Sequence, residues 1–491
     1  MKTWMWSWVV VFVFGCAGAM EAAEPEPLRV GVAEADTTPP EGFPMAGYYH
    51  ERLATGVRDP LKAKAIVFAQ GNERAAFVAC DLTGIAADLT AEVRRLASAS
   101  TDIPGDHIVL AATHSHTAPD YTRDLYEYLG ERPSGGQSRY AAKLVGNIVA
   151  SIEQAAANLQ PAKIWSGSAE QKTPIAFNRR FVMRDGSVRT WMKLDHPEVV
   201  KQAGPIDPEV GLLLVRAADG DRPLGVMTNF ALHLDTVGGT LWSGDYPYYV
   251  EQALRQELGP ELVSIFGNGC CGDINHADPL AQAVNKTDFI GQSLGETVRQ
   301  GLGGLKPLEQ PKLCVRTVRV PLPLQAIQAE DVRKSLSFVQ EARAGKEVEF
   351  YTLVTAYKTL LLDQLQNSPP LAPSSEAMTW GLSRTWAGVG GELPVDMQVI
   401  ALGRETAIVC MPGELFVNLG LAIKQASPFR TTLVVELCNC VETIYIPTRA
   451  AYAGGSYEVT NSAVLPGSGE KLVEAALGLL REAAAQNGAV Q

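Results

Sequence analysis

The sequence predicts an α/β protein with mixed sheets and flanking helices. Three observations point there. Apolar runs of strand length recur along the chain and empty into polar or glycine-rich segments. Pairs of these runs enclose tight turns, as around Gln70-Gly71-Asn72 and Asp219-Gly220-Asp221. Between them lie segments with apolar residues at helical spacing, and such alternation of strands with helices favours α/β layering.

Taken in order, residues 28–35 alternate as a strand and stop at the turn Asp36-Thr37-Thr38-Pro39-Pro40. Residues 45–52 form an irregular loop dense in polar and aromatic side chains, which suits a site wall or an ordinary surface equally. Residues 63–68 and 75–80 make a hairpin that runs into Asp81-Leu82-Thr83, and 89–97 is a helix. Ile108-Val109-Leu110-Ala111-Ala112 is a strand that empties into Thr113-His114-Ser115-His116-Thr117 before Ala118-Pro119 breaks it. Residues 140–159 carry a helical apolar stripe, and 164–169 is a strand followed by Phe177-Asn178-Arg179-Arg180. Strands over 210–216 and 224–232 pair as a hairpin whose second arm ends at His233. An aromatic helix follows over 246–258. The strand 262–266 then opens into Gly267-Asn268-Gly269-Cys270-Cys271-Gly272-Asp273-Ile274-Asn275-His276, whose glycines mark a tight turn. One or two charged helices cover 325–365, and the Pro/Ser-rich 367–375 reads as a linker. Strands 395–402 and 406–411 form a hairpin that ends at Pro412-Gly413-Glu414; 432–437 is a strand and 470–485 an amphipathic helix.

Composition narrows the function classes. At 491 residues, with 46% hydrophobic and 20% charged residues, the chain has the make-up of a globular protein larger than a typical single domain. A formal charge of -12, with no Lys/Arg cluster, excludes a nucleic-acid binder, since phosphate affinity needs a basic face. Lys2, the apolar run from 4 to 14 and the small residues Ala17-Gly18-Ala19 make residues 1–23 a secretory signal, too short for a membrane span. The protein is therefore expected in the periplasm or outside the cell. Phe14-Gly15-Cys16 also partly resembles a lipoprotein cleavage site, so lipid anchoring at Cys16 is the competing reading. Eight cysteines are present, and in an exported chain Cys270-Cys271 and Cys438/Cys440 are candidates for disulfides of undefined pairing.

The chemistry gathers at strand ends. In a strand, residues two apart share a face, so His114 and His116 are expected to project together. Only seven histidines occur in the chain, and His233 terminates another apolar strand. Glu414 holds the same position after a third. A catalytic zinc commonly takes three His and carboxylate ligands, lowers the pKa of water to about 7 and polarises a carbonyl. Two histidines hydrogen-bonded at a loop edge are the plainer alternative. Spacing alone does not decide between them.

Four motifs occur in order: Gly31-Val32-Ala33-Glu34-Ala35-Asp36-Thr37-Thr38-Pro39-Pro40, Ala112-Thr113-His114-Ser115-His116-Thr117-Ala118-Pro119, Asn229-Phe230-Ala231-Leu232-His233 and Pro412-Gly413-Glu414-Leu415. Together they resemble the neutral/alkaline non-lysosomal ceramidase family, which cleaves the amide of N-acylsphingosine with a zinc ion. The resemblance runs from about Val30 to Tyr457 and implies a single catalytic unit over residues 24–491. It implies zinc on His114, His233, Glu414 and a downstream tyrosine, Tyr452, with Tyr457 as the competing alignment. It also implies His116 facing the substrate, and Arg179 near the site. A lipid substrate implies peripheral contact with a membrane. Oligomeric state is left open.

Two departures from the family pattern matter. Its Asn-x-Gly-Asp-Val-Ser-Pro-Asn segment, whose Ser is assigned to catalysis, stands here as Cys270-Cys271-Gly272-Asp273-Ile274-Asn275-His276-Ala277. Asp273 is kept and would orient the loop; Asn275 replaces the Ser and can donate to an oxyanion but cannot attack. The chain also stops soon after the catalytic region, so the family's C-terminal immunoglobulin-like domain is not expected. The sequence thus predicts an exported zinc-dependent amidohydrolase. Action on another amide, an ester or a polysaccharide, or a metal-stabilised binding protein without catalysis, are the rival readings.

Overall fold

The computed structural model describes residues 1–5, 26–131, 139–377 and 382–488. Two sheets pack face to face, and helices cover the outside of each. The larger contains β1 (Arg29–Asp36), β2 (Lys62–Gln70), β3 (Glu73–Cys80), β4 (Ile108–Ala112), β5 (Gln160–Glu170), β6 (Glu209–Ala217), β7 (Pro223–Phe230) and β8 (Val263–Asn268). Their order is β8-β7-β6-β5-β1-β2-β3-β4, with the short strand Lys306–Pro307 added to β5. The second sheet runs β9 (Leu313–Pro323), β10 (Glu392–Leu402), β11 (Thr406–Cys410) and β12 (Thr431–Val435).

Most neighbours are antiparallel, but β3/β4, β7/β8 and β11/β12 are parallel. Parallel neighbours need a crossover, and each pair has a helix between its strands: Ala87–Thr101, Tyr246–Leu258 and Val417–Ala426. The six strands of these pairs therefore bring their carboxyl ends out together, pair by pair. The site is built there.

Strand alternation divides the core. In β2, Ala63, Ala65 and Val67 face the helices Ala87–Thr101 and Tyr140–Ala157, whereas Ile66 and Phe68 face the other sheet. In the second sheet, Ile400, Leu402, Ile408, Cys410, Leu433 and Val435 meet that shared core. Val399, Ala401, Val409 and Val434 face outward, in the core that includes the helices Phe350–Gln366 and Ser468–Gln486. Both faces of the central strands are thus buried, which is why these segments read as near-continuous apolar runs.

Several expectations change. The strand before His114 ends at Ala112, so His114 and His116 leave it on a loop rather than on one strand face. The stretch 367–375 is not a linker: the buried carboxylate of Asp363 accepts from Leu371 N at 3.1 Å and Ala372 N at 2.8 Å, folding it onto the preceding helix. The seven described cysteines are all buried free thiols, so neither Cys270-Cys271 nor Cys438/Cys440 forms a bridge. The stretch 325–365 resolves into two helices, Ala329–Arg343 and Phe350–Gln366. The signal read over 1–23 lies, from residue 6 onward and including Cys16, outside the described residues. Among the described residues no helix is long and apolar enough to cross a membrane.

Candidate metal centre

The chain leaves β4 abruptly. His114 sits at φ +79°, a region that side-chain-bearing residues seldom occupy, and its N–H donates to Leu82 O at 2.9 Å. This kink, not strand alternation, brings His114 and His116 together, with their Nε2 atoms 3.3 Å apart and their rings perpendicular. His233 arrives three residues beyond β7. Glu414 follows β11 after Pro412-Gly413, and its N–H donates to Ile444 O at 2.9 Å. The turn after β8 presses against it, and a Cβ on Gly272 would lie 2.7 Å from Glu414 O, so only glycine fits there.

Hydrogen bonds fix which ring nitrogen carries the proton. His114 Nδ1 lies 2.6 Å from Thr83 O, and His233 Nδ1 lies 3.1 Å from Cys271 O. A carbonyl only accepts, so both Nδ1 atoms donate, and in the neutral rings the lone pairs are on the Nε2 atoms. Those two Nε2 atoms face each other at 2.9 Å. Glu414 Oε2 lies 3.3 Å from one and 3.6 Å from the other, buried and without a hydrogen-bond donor among the described residues. Three lone-pair atoms turned toward one point repel unless a cation lies among them. Burial, with Arg179 and the other two histidines, lowers His233 well below its ordinary value, and burial lowers His116 to about 4. Neutral imidazole is the form that ligates. Two histidines and a carboxylate fit a divalent metal of the zinc type.

Arg179 forms one wall. The pairing of Phe177–Asn178 with Ile274–Asn275 sets it beside the turn after β8. Its Nη2 donates to Gly272 O at 2.8 Å and Tyr445 Oη at 3.0 Å, and its Nη1 lies 3.3 Å from His233 Nε2. Glu458 serves two arginines, taking Arg179 Nε on Oε1 and Arg180 Nη1 on Oε2, each at 2.9 Å. Asp273 braces the turn: it accepts from Asn178 Nδ2 and Val417 N, both at 2.8 Å, and burial raises its carboxyl to about 6.

The residues expected at the site divide cleanly. His114, His116, His233, Glu414 and Arg179 come together, and a cavity of about 70 Å³ touches His114, His116, Glu414, Tyr445 and Tyr457. Tyr452 does not reach it. Its hydroxyl donates to Val464 O at 2.8 Å and meets Ser462 Oγ at 3.0 Å, on the far side of a short helical turn. Asn275 also points elsewhere, since its Oδ1 accepts from Ala277 N at 3.1 Å and caps the turn. Sequence reasoning missed Tyr445, Glu458 and Glu436. Glu436 accepts from Cys271 N at 3.1 Å and Leu415 N at 2.6 Å, tying together the two loops that carry the His233 partner and Glu414. Its signal was available: like Glu414, it caps an apolar strand.

Beyond the cavity the wall is aromatic. Tyr457 packs on Trp191 with centroids 4.3 Å apart and on Phe350 at 5.9 Å, and Tyr49 stacks on Tyr357 at 5.7 Å. Trp191 and Phe350 remain 42% and 41% exposed, large apolar rings held open next to a polar centre.

The sequence model of neutral/alkaline non-lysosomal ceramidase (N-terminal region) matches residues 28–281, just over half of the chain. Neutral ceramidase of Pseudomonas aeruginosa is 29% identical over 219 residues, which are 43% of this chain and 31% of that protein. The match thus spans under a third of the relative's length. The crystal structure of neutral ceramidase from Pseudomonas aeruginosa superposes with a TM-score of 0.66 at 21% identity, over 94% of this chain and 75% of that one. A ceramidase complexed with C2 gives 0.66 at 20% identity, over 94% and 76%. These structures share the fold. By its matched sequence, the chain belongs to the neutral/alkaline non-lysosomal ceramidase family.

Proposed function

We propose that this protein is an exported zinc-dependent amidohydrolase that cleaves the amide of N-acylsphingosine-like lipids. The observation that carries the reading is the convergence of the Nε2 atoms of His114 and His233, 2.9 Å apart, beside the buried Glu414 Oε2. A zinc ion held by these residues supplies Lewis acidity toward a carbonyl and toward water. Everything else is done by the chain. Arg179, kept charged by Glu458, places a fixed cation where the carbonyl oxygen would gain negative charge. Tyr457, on the cavity wall with its hydroxyl 3.3 Å from that of Tyr49, offers a hydroxyl to the scissile amide. Asp273 holds the Arg179 segment and the turn after β8 in register.

The aromatic wall supports a lipid rather than a sugar or a peptide. Trp191, Phe350 and Tyr457 offer an apolar face without a ladder of polar groups, which suits a hydrocarbon chain. Access to such a substrate calls for peripheral contact with a membrane, and the signal read over 1–23 supports export.

The deciding experiment measures metal content and hydrolysis of a short-acyl ceramide by the mature protein, by His114→Ala and by His233→Ala. One zinc per wild-type chain, lost in both variants together with amide cleavage, is the expected result. Zinc without ceramide turnover would redirect the search to other amides and esters. A metal-free wild type after refolding with zinc would sink the reading.

A further inference from the structure

Exposed aromatic rings gather at the mouth of the cavity. Trp191 and Phe350 are both about two-fifths exposed, and their ring centroids lie 6.4 Å apart. Tyr351, 38% exposed, continues the group with its centroid 5.5 Å from that of Phe350. Trp191 and Phe350 both pack on Tyr457, which borders the cavity. The rings come from segments far apart in sequence, so their meeting is a product of the fold.

We infer that this rim is the surface by which the protein docks on an electrically neutral lipid–water interface, with Trp191, Phe350 and Tyr351 entering it first. The inference rests on the lipid-hydrolase reading above and adds the docking face and the kind of surface it fits.

The backbone holds these rings outward at a cost. Trp191 follows the short strand Val188–Thr190 at φ +56°, the left-handed region that bulky side chains avoid. Its N–H donates to Arg179 O at 3.2 Å, and the Arg179 guanidinium lies 5.2 Å from its ring centroid. The residue that faces His233 thus also sets the pose of the exposed indole. Strain of this kind persists where the surrounding structure enforces it, and it clusters at functional sites. Phe350 and Tyr351 open the helix Phe350–Gln366, whose buried residues begin at Val354. Glu349 caps that helix, accepting from Tyr351 N at 3.0 Å and Thr352 N at 2.7 Å. A fixed first turn therefore presents both rings. Large apolar rings left in water carry a hydrophobic cost that a polar residue would avoid.

The opposite lip is apolar as well. Tyr48 borders the cavity there, and Arg52, over its ring, donates to Gly239 O at 2.9 Å. Leu53, Val57 and Leu241 are exposed on the segments that follow. Pairing of Gly56–Val57 with Leu241–Trp242 holds the last two in one ribbon.

Chemistry selects the partner. Trp and Tyr combine an apolar body with a polar edge, which favours the boundary between lipid headgroups and acyl chains. Charge selects the lipid. Lys193 and Lys346 beside the rings are offset by Asp195, Glu347 and Glu349, and the formal charge of the chain is -12. Attraction to anionic headgroups needs clustered Lys/Arg, and neither segment carries such a run. A zwitterionic surface is the match, held by buried apolar area rather than by charge. Docking there sets the cavity mouth against the bilayer, so that a lipid enters without crossing bulk water.

The test measures co-sedimentation with phosphatidylcholine vesicles for the mature wild type, Trp191→Phe and the triple variant Trp191→Ser/Phe350→Ser/Tyr351→Ser. Vesicles with brominated acyl chains read, by quenching of protein fluorescence, whether the indole enters. The wild type is expected to bind phosphatidylcholine, with no gain from added phosphatidylglycerol and no loss in high salt. The triple variant should bind at least about tenfold more weakly, since three rings lose their apolar area. Trp191→Phe should still bind but lose most of the quenching. If the triple variant does not fold, the quenching comparison decides alone. A wild type that stays off phosphatidylcholine overturns the inference, as does equal quenching in Trp191→Phe. Tighter binding to phosphatidylglycerol overturns the neutral surface. Self-association of the lipid-free wild type that the triple variant abolishes assigns the rim to a second copy and overturns the lipid. The hydrolase reading is checked apart, on a short-acyl ceramide without vesicles. Turnover there without vesicle binding sinks the docking face alone, and vesicle binding without turnover sinks the substrate alone.

Discussion

His114 Nε2 and His233 Nε2 approach to 2.9 Å while the Nδ1 atom of each ring is turned to a main-chain carbonyl on the opposite side. Two neutral imidazoles in a protein core ordinarily share a proton when they come this close. Here the Thr83 and Cys271 carbonyls prevent it, so the contact carries an electrostatic cost that a bound cation removes.

Metal binding should therefore stabilise the fold as well as enable chemistry. Free zinc at 100 times its dissociation constant is expected to add about 2.7 kcal/mol to the unfolding free energy. Chelation should remove that increment reversibly, and His233→Ala should be insensitive to chelator. Urea titrations with and without EDTA would measure it. Identical curves for the wild type in both conditions would contradict a metal shared by these residues.

Much of the fold could be read because the strands are short, apolar and punctuated. β2, β3, β6, β7, β10 and β11 fall where alternation and turn residues put them, and their ends deliver His233 and Glu414. β9 was harder. Pro321 and Pro323 argue against a strand, yet β9 forms the edge of the second sheet, where a missing N–H costs nothing. The centre was legible only in its side chains. Thr83 and Cys271 act through main-chain oxygens, which leave no mark on a sequence, and the positive φ of His114 arises from its tie to Leu82. Tyr445 lies in the two-residue strand Tyr445–Ile446 and Glu458 in the six-residue helix Ser456–Asn461, both too short to leave a periodic signal. Tyr445 reaches the site by pairing with Glu414, and Glu458 by its ion pair with Arg179.

The motif resemblance sets Asn275 against the family's serine, but its side chain closes a turn onto Ala277 N at 3.1 Å. Restoring the family residue should then do little. Asn275→Ser is expected to keep ceramide turnover within about threefold of the wild type, since a change outside the reacting geometry moves the barrier by under about 1 kcal/mol. A rise of a hundredfold would show that the turn rearranges to bring this residue to the substrate.

Lys358 gives a pH signature independent of the metal. Burial lowers its amine to about 8 from an ordinary 10.5, with Gln325 Oε1 as its acceptor at 3.0 Å. The folded state therefore binds fewer protons than the unfolded chain between these values, and stability rises with pH across that window. Below pH 8 the full cost of burying the charge is present, on the order of 3 kcal/mol from a shift of this size. Lys358→Met should be the more stable protein at pH 7 and should lose most of that advantage by pH 10.5. Denaturant midpoints at the two pH values would show it. A parallel shift of both proteins would mean that the amine reaches solvent.

Tyr452 and Tyr457 separate a stability effect from a functional one. Both align acceptably with the family's metal-site tyrosine, yet only Tyr457 borders the cavity. The Tyr452 hydroxyl joins a helical turn to Val464 O, so Tyr452→Phe should cost about 1 kcal/mol of stability and leave zinc affinity and turnover unchanged. Tyr457→Phe keeps the ring against Trp191 and Phe350 and removes only the hydroxyl, which meets Tyr49 and Asn461 on the cavity wall. It should fold with near wild-type stability and lose roughly 10- to 100-fold in turnover, the size of effect expected for one positioned hydrogen-bonding group. Kinetics and chelator competition on the two variants decide the matter together. If Tyr452→Phe released zinc and Tyr457→Phe did not, the helical turn carrying Tyr452 would have to swing onto the centre when metal binds, and the hydrogen bond to Val464 would be a property of the metal-free state alone.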